Sequence, residues 1–167
     1  LIPLLAQIKA IVPPQVRISR VIRDIPSDET IAGNQKTNLR ETVQEYMRAQ
    51  GMRCNCLRCR EVTHRYFALE NIQQAELVER SYAASGGKEY FLSFEDPSRE
   101  TVFAFLRLRL PSEDADIIWS HIPELKHAGL IRELHTYGQQ VRIDQSQDSA
   151  SQHKGYGKQL LERAEQI

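Results

Sequence analysis

The sequence has no run of apolar residues long enough to cross a membrane. A membrane-spanning helix needs about 20 such residues, and the most apolar stretch, residues 1–12, is interrupted by Gln7 and Lys9. This stretch also lacks the basic leader and the cleavage site of a signal peptide. With 41% hydrophobic and 26% charged residues, the composition is typical of a soluble globular protein. We therefore expect no membrane partner.

Cysteine is also scarce. The chain has three cysteines, and all three lie within residues 54–59. An odd number of cysteines so close together does not form the disulfide framework of a small extracellular domain. We therefore expect a reduced, cytoplasmic setting.

Net charge is absent from the chain as a whole, because 22 basic residues balance 22 acidic ones. The balance is uneven along the chain: residues 1–66 carry 11 basic and 6 acidic side chains, and residues 67–167 carry 11 and 16. This asymmetry predicts two parts with different functions. The chain begins with Leu1 and stops inside a helical pattern, so we expect it to be a fragment of a longer protein.

Two helices are predicted in the basic part. Residues 1–12 form one short helical pattern that Pro13 ends. Asn38 with Glu41 three residues later has the form of a helix capping pair, apolar residues follow at helical spacing, and Gly51 is a natural stop. The second helix therefore leads directly into the cysteines.

The acidic part is predicted to contain a sheet. Residues 89–110 alternate between apolar and polar side chains on both sides of a turn at residues 96–98, which indicates a hairpin. A third strand is predicted at residues 130–137, and an amphipathic helix from Gly157 onward. This order predicts an α/β fold of the α+β kind, with a mixed sheet and helices.

The loop before the last helix has the pattern Q-x-x-G-x-G. A helix N-terminus presents unpaired N–H groups that bind phosphate oxygens, and glycines let the backbone approach them. A glycine-containing turn that merely starts a helix is the alternative. A dinucleotide fingerprint fits less well because its first glycine is absent, and the Gly-Lys-Ser/Thr ending of a Walker loop is missing. The candidate cofactor-binding residues of this loop are Gln152, His153, Lys154, Gly155, Tyr156 and Gly157.

The cysteines form a C-x-C-x-x-C pattern. Thiolates at this spacing can converge on one tetrahedral metal, and zinc is the commonest occupant. The predicted ligands are Cys54, Cys56 and Cys59, and the fourth is either His64 or a group outside this fragment. Free cysteines and an iron–sulfur cluster remain alternatives.

Basic side chains are concentrated around this cysteine pattern. Arginine binds phosphate through its planar fork, so a basic stretch beside a metal knuckle favours RNA binding. An ordinary solvated face is the alternative. The RNA-binding candidates are Arg17, Arg20, Arg23, Lys36, Arg40, Arg53, Arg58 and Arg60.

The order of these motifs is more specific than any one of them. The sequence RISRVIRDIP at residues 17–26 is followed by KTNLR at residues 36–40, the cysteine pattern, FLSFED at residues 91–96, FLRLRLP at residues 105–111, RELH at residues 132–135, and finally the glycine loop. Over nearly all 167 residues this order resembles the catalytic subunit of the Elongator complex, a family of tRNA wobble-uridine acetyltransferases. The loop itself resembles the acetyl-coenzyme A pyrophosphate loop of the GNAT acetyltransferases.

The resemblance implies a fold, cofactors and a reaction. A radical-SAM domain with S-adenosylmethionine and a 4Fe-4S cluster would precede this fragment. Residues 1–12 would be the end of that domain, residues 13–66 a helical, basic, zinc-binding linker, and residues 67–167 an incomplete GNAT-like domain. The enzyme would attach a group from acetyl-coenzyme A at C5 of uridine, leading to 5-carboxymethyluridine. Its partners would be tRNA and either other Elongator-type subunits or a second copy of itself.

The resemblance also assigns residues. The cysteines match the family's metal cysteines, and the strand that lines the acetyl-coenzyme A arm matches Glu133, Leu134, His135 and Thr136. Glu133 and His135 are candidates for a polar group near the thioester, with a packed or paired strand residue as the alternative for each. The resemblance places the closing part of the domain after Ile167, so we expect any proton donor located there to be missing from this fragment. The radical-SAM cysteine motif is also absent from these 167 residues.

Two other functions remain open. One is a non-enzymatic, zinc-containing tRNA-binding module, in which the glycine loop has no cofactor. The other is a lysine N-acetyltransferase, which shares the loop but gives no function to the basic, cysteine-containing half.

Overall fold

A computed structural model describes residues 1–22, 29, 31–33, 38–62, 74–112, 121–125, 127–137 and 155–167. The chain divides into two compact units, residues 1–60 and residues 61–167. Within the described ranges, no helix is both long and apolar enough to cross a membrane.

The first unit is helical. Its elements are α1 (Ile2–Ile11), α2 (Leu39–Ala49) and the single turn α3 (Leu57–Arg60). The predicted helices correspond to α1 and α2, whereas α3 was not predicted. Buried apolar side chains of α1 and α2 form the core of this unit: Ala6, Leu39, Val43 and Met47.

The ends of α2 lie where the sequence places them, but the N-terminal cap differs from the prediction. Asn38 precedes the helix without any side-chain capping hydrogen bond. Its backbone carbonyl accepts the N–H of Glu41 at 3.0 Å instead. At the other end, Gly51 takes a left-handed conformation with φ +64°, and the N–H of Met52 donates to the carbonyl of Met47 at 2.8 Å. This is the glycine stop that the pattern predicts.

The second unit is a four-stranded sheet with a helix on one face. The strands are β1 (Glu76–Ala83), β2 (Gly87–Glu95), β3 (Val102–Pro111) and β4 (Leu130–Thr136), in the spatial order β1-β2-β3-β4. The predicted hairpin is β2–β3 and the predicted third strand is β4, while β1 was not predicted. Each neighbouring pair is antiparallel, so the described strands do not form the mixed sheet that was expected. The α+β class is confirmed.

The last helix, α4 (Tyr156–Glu165), covers one face of the sheet. Its buried side chains Tyr156, Leu160 and Ala164 pack into the core formed by β2 and β3. The ring of Tyr156 stacks on Phe94 with centroids 4.3 Å apart. This packing fixes the N-terminus of α4 beside the sheet.

Candidate functional sites

The three cysteines converge in space. Their sulfur atoms all lie within 4.8 Å of one another. Cys56 is fully buried, and Cys59 lies in the short helix α3. The N–H of Leu57 donates to the carbonyl of Val16 at 2.9 Å, which ties this segment to the chain before α2. The first unit therefore holds the predicted ligand set together.

The thiols differ in acidity because they share hydrogen bonds. Hydrogen bonds with Cys56 and then Cys59, followed by burial, raise the pKa of Cys54 above the usual thiol range. Hydrogen bonds from Cys54 and then Cys59 lower the pKa of Cys56, because they stabilise its thiolate. These shared hydrogen bonds therefore favour a thiolate at Cys56 and a protonated thiol at Cys54, so a metal that binds both sulfurs must displace the proton of Cys54.

Two side chains from the helices donate to the third sulfur. Lys9 Nζ lies 3.8 Å from Cys59 Sγ, and Gln44 Nε2 lies 3.5 Å from the same atom. Lys9 is only 2% exposed. No property of the sequence around Lys9 singled it out, because a lysine in a short helix is usually solvated.

A tetrahedral zinc ion fits this arrangement. Thiolates about 2.3 Å from zinc lie about 3.8 Å apart, so the sulfurs would need to move inward by about 1 Å at most. The structure describes three of the four expected ligands. The other candidate, His64, lies outside the described residues, as do Arg23 and Lys36 of the RNA-binding set.

Two of the arginines assigned to RNA stabilise the backbone of the first unit. Arg60 is buried, and it donates to the carbonyls of Asn55 and Pro14 at 3.0 and 2.9 Å. Arg40 Nη2 donates to the carbonyl of Ile18 at 2.8 Å. The four other candidates that the structure describes are exposed: Arg17, Arg20, Arg53 and Arg58.

The glycines of the loop lie at the start of α4. Gly155 is the N-cap, with a left-handed φ of +68° and no side-chain capping hydrogen bond. A Cβ at Gly157 would lie 3.8 Å from Thr136 Oγ1, so the start of α4 and the end of β4 are adjacent. The ring of Tyr156 is in the core, which leaves only its backbone to face a ligand. Residues 152–154 lie outside the described residues.

The strand beside this loop has an open edge. β4 pairs with β3, and the described sheet has no strand on the other side of β4. Leu130, Ile131 and Leu134 are each 40–43% exposed. An edge of this kind presents unpaired N–H and C=O groups to a ligand.

Both catalytic candidates on β4 have partners within the sheet. Glu133 accepts a hydrogen bond from Arg107 Nε at 3.0 Å. The ring of His135 packs edge-on against Tyr137 with centroids 4.5 Å apart. These contacts support a packed or paired strand residue at each position, and a catalytic role for either stays a prediction.

A buried charge cluster on the same sheet was missed. Glu89 is 1% exposed and accepts from Arg109 Nη1 at 3.0 Å and Arg132 Nη1 at 2.6 Å. Charged residues in an alternating strand are usually assigned to the solvent face. The one available signal was the pairing of Glu89 with Arg109 across β2 and β3, which needs the register to be known.

Comparison with known proteins identifies the relatives of this chain. It is 43% identical to a tRNA uridine(34) acetyltransferase of Dehalococcoides mccartyi over 162 residues. The aligned region covers 97% of this chain and 34% of that protein. It is 42% identical to Elongator complex protein 3 of Dictyostelium discoideum, and this alignment covers 100% of this chain and 29% of that protein. The chain is a homologue of these proteins. The predicted resemblance to the Elongator catalytic subunit family is confirmed.

A solved structure supports the same relationship. The structure of the archaeal Methanocaldococcus infernus Elp3 with an N-terminus deletion superposes on this chain with a TM-score of 0.77 and 38% sequence identity. The match covers 99% of this chain and 39% of the chain in that structure. The family model of the Radical_SAM C-terminal domain matches residues 1–49. The chain thus spans about a third of the length of these Elongator-type relatives. The boundaries predicted at residues 12 and 66 stay predictions.

Proposed function

We propose that this chain is the acetyltransferase side of an enzyme that modifies the wobble uridine of tRNA. The relatives are named as tRNA uridine(34) acetyltransferases and Elongator complex protein 3. The observation that carries the proposal is the junction of β4 and α4. There the helix N-terminus, with a left-handed Gly155 and no side-chain capping hydrogen bond, lies beside an edge of β4 that no described strand covers.

Acetyl-coenzyme A fits this junction chemically. The N-terminus of α4 offers backbone N–H groups and positive dipole charge to the pyrophosphate. Glycine at positions 155 and 157 lets the pyrophosphate approach the backbone, and the edge of β4 that no described strand covers offers main-chain hydrogen bonds to the amide-containing pantetheine arm. Bound acetyl-coenzyme A would supply the acetyl group, while residues 133–136 and 152–157 bind and orient it.

The first unit suits tRNA. Four exposed arginines lie in the same unit as the cysteine cluster. If all four contacted phosphates, binding would fall with a log–log salt slope of roughly −4. Zinc held by the three cysteines would fix α3 and the segment before it, and so the arginines at positions 53 and 58. Zinc is structural in this proposal and takes no part in the reaction.

The remaining cofactors and partners belong to the whole protein. The match to a Radical_SAM C-terminal domain supports S-adenosylmethionine and a 4Fe-4S cluster elsewhere in the full-length protein. The name Elongator complex protein 3 of two relatives supports the proposal that the whole protein assembles with subunits like those of Elongator. We further propose a cytoplasmic location and 5-carboxymethyluridine as the final product.

A direct test is the binding of radiolabelled acetyl-coenzyme A to the full-length protein by equilibrium dialysis. We expect saturable binding that is lost when Gly155 and Gly157 are both replaced by valine. The same substitution at Gly86 is the matched control, because Gly86 is also left-handed, with φ +67°, and a Cβ added there would have no atom closer than 3.9 Å. Unchanged binding in the double variant would refute the proposed site.

The two alternatives give different results. Salt-dependent tRNA binding without acetyl-coenzyme A binding would favour the zinc-containing binding module. Acetyl transfer to lysine peptides in the absence of tRNA would favour the lysine N-acetyltransferase.

A further inference from the structure

Lys9 is a buried lysine on a mostly apolar helix. It lies in the last turn of α1, is 2% exposed, and follows the sequence IPLLAQI. Within the described part of the chain, its hydrogen-bonding partner is the sulfur of Cys59, 3.8 Å from Nζ. Lysine is almost never fully buried unless it is paired with negative charge. The position of Lys9 therefore places a buried amino group against the sulfur of a predicted metal ligand.

The proposed metal centre supplies that charge. Three thiolates around one divalent ion carry a net charge of −1, and the ammonium group of Lys9 carries +1. Gln44 donates to the same sulfur at 3.5 Å and adds a neutral hydrogen bond. Hydrogen bonds to ligand atoms orient them and tune metal affinity, and their loss typically weakens binding 10–100-fold.

We propose that Lys9 is a positioning residue that neutralises the metal–thiolate centre through Cys59. This inference rests on the proposed metal centre. It also explains why a helix 50 residues away in sequence places a lysine, rather than another apolar side chain, against α3. Lys9 does not bind the metal itself in this proposal.

The test is zinc affinity of the full-length protein, measured by competition with a chromophoric chelator. A Cys54→Ser/Cys56→Ser variant serves as the blank, so the difference isolates this centre from any other metal site. We expect Lys9→Met to weaken zinc binding by roughly 10–100-fold. Lys158→Met is the matched control, because the side chain of Lys158 is 82% exposed, and its affinity should equal that of the wild type.

Cobalt substitution distinguishes a counter-charge from a ligand. The d–d bands of the cobalt-loaded protein report the ligand set, and we expect them to be the same in Lys9→Met and the wild type. Lys9→Arg, which keeps the charge and a donor, should retain most of the zinc affinity. If Lys9→Met fails to fold, zinc affinity is measured in Lys9→Arg and Gln44→Leu instead. We expect Lys9→Arg to retain most of the zinc affinity and Gln44→Leu to bind zinc more weakly.

Two results would overturn the inference alone. One is a zinc affinity of Lys9→Met within about twofold of the wild type, far below the loss expected for an outer partner of a ligand. The other is a change in the d–d bands, which would make Lys9 a ligand. A wild-type protein that binds no more zinc than the blank would instead overturn the metal centre, and the inference with it.

Discussion

Gly155 and Gly157 permit a test in which stability and ligand binding change differently. Gly155→Ala places a Cβ in a left-handed conformation, which costs roughly 1–2 kcal/mol, although no atom of the described residues lies within 4 Å of the new methyl group. Gly157→Ala adds a methyl group 3.8 Å from Thr136 Oγ1, an ordinary contact. Within a helix, alanine is more stable than glycine by roughly 0.5–1 kcal/mol. The folded protein should therefore tolerate or favour Gly157→Ala.

Binding should respond differently. The methyl group at position 157 would occupy the space between α4 and the end of β4, where we propose that the pyrophosphate approaches the backbone. We expect Gly157→Ala to weaken acetyl-coenzyme A binding by about tenfold or more, which corresponds to about 1.4 kcal/mol. A variant that is at least as stable as the wild type and yet binds poorly cannot be explained by damage to the fold.

The assay pairs urea denaturation with isothermal titration of acetyl-coenzyme A on the same full-length preparations. Gly86→Ala is the control for Gly155→Ala, since both glycines are left-handed and have room for a Cβ. It should lose similar stability and keep its affinity. Wild-type affinity in Gly157→Ala would refute the placement of the cofactor at this junction.

The remaining predictions concern one tyrosine and two arginines. Burial raises the pKa of Tyr156, so its contribution to stability is complete below the usual tyrosine pKa of about 10 and is lost as the pH rises through the folded-state value. Urea denaturation between about pH 8 and 11 should show a smaller alkaline loss in Tyr156→Phe, and equal losses would contradict this. Arg58→Ala should lower the salt slope of tRNA binding by about one; an unchanged slope would remove Arg58 from the interface. Arg60→Ala should destabilise the protein by about 1–3 kcal/mol because it removes two hydrogen bonds from a buried side chain, each worth about 0.5–1.5 kcal/mol, and an unchanged urea midpoint would contradict that.

Regular periodicity explains the elements that could be predicted. The apolar residues of α2 repeat at helical spacing and lie between Asn38 and a left-handed Gly51, so local chemistry alone defines that helix. The strands β2 and β3 flank a short turn, and their pairing is local in sequence. Such features need no knowledge of distant contacts.

The strand β1 could not be predicted because its stability comes from distant partners. Its sequence, ELVERSYA, is largely polar and has no uniform apolar face. Arg80 forms an ion pair with the buried Glu95 at 2.6 Å, and Glu79 accepts from Arg163 of α4 at 2.8 Å. These charges look solvated in the sequence and are paired only once the sheet and helix are assembled.

The candidate sites also differ in how far they could be predicted, because some depend on local sequence and others on contacts between distant residues. The spacing of Cys54, Cys56 and Cys59 is enough to bring three sulfurs together, and the glycine pattern is enough to locate the start of the last helix. The burial of Lys9 depends on a cysteine 50 residues away, and the ring of Tyr156 faces Phe94 rather than solvent. Neither contact leaves a local signal in the sequence.

The most direct test of the central claim is a calorimetric titration of the full-length protein with acetyl-coenzyme A, in the presence and absence of tRNA. The proposed enzyme should bind acetyl-coenzyme A saturably and bind tRNA in the same preparation. Binding of tRNA without any detectable binding of acetyl-coenzyme A under either condition would contradict the assignment of the β4–α4 junction as an acetyltransferase site.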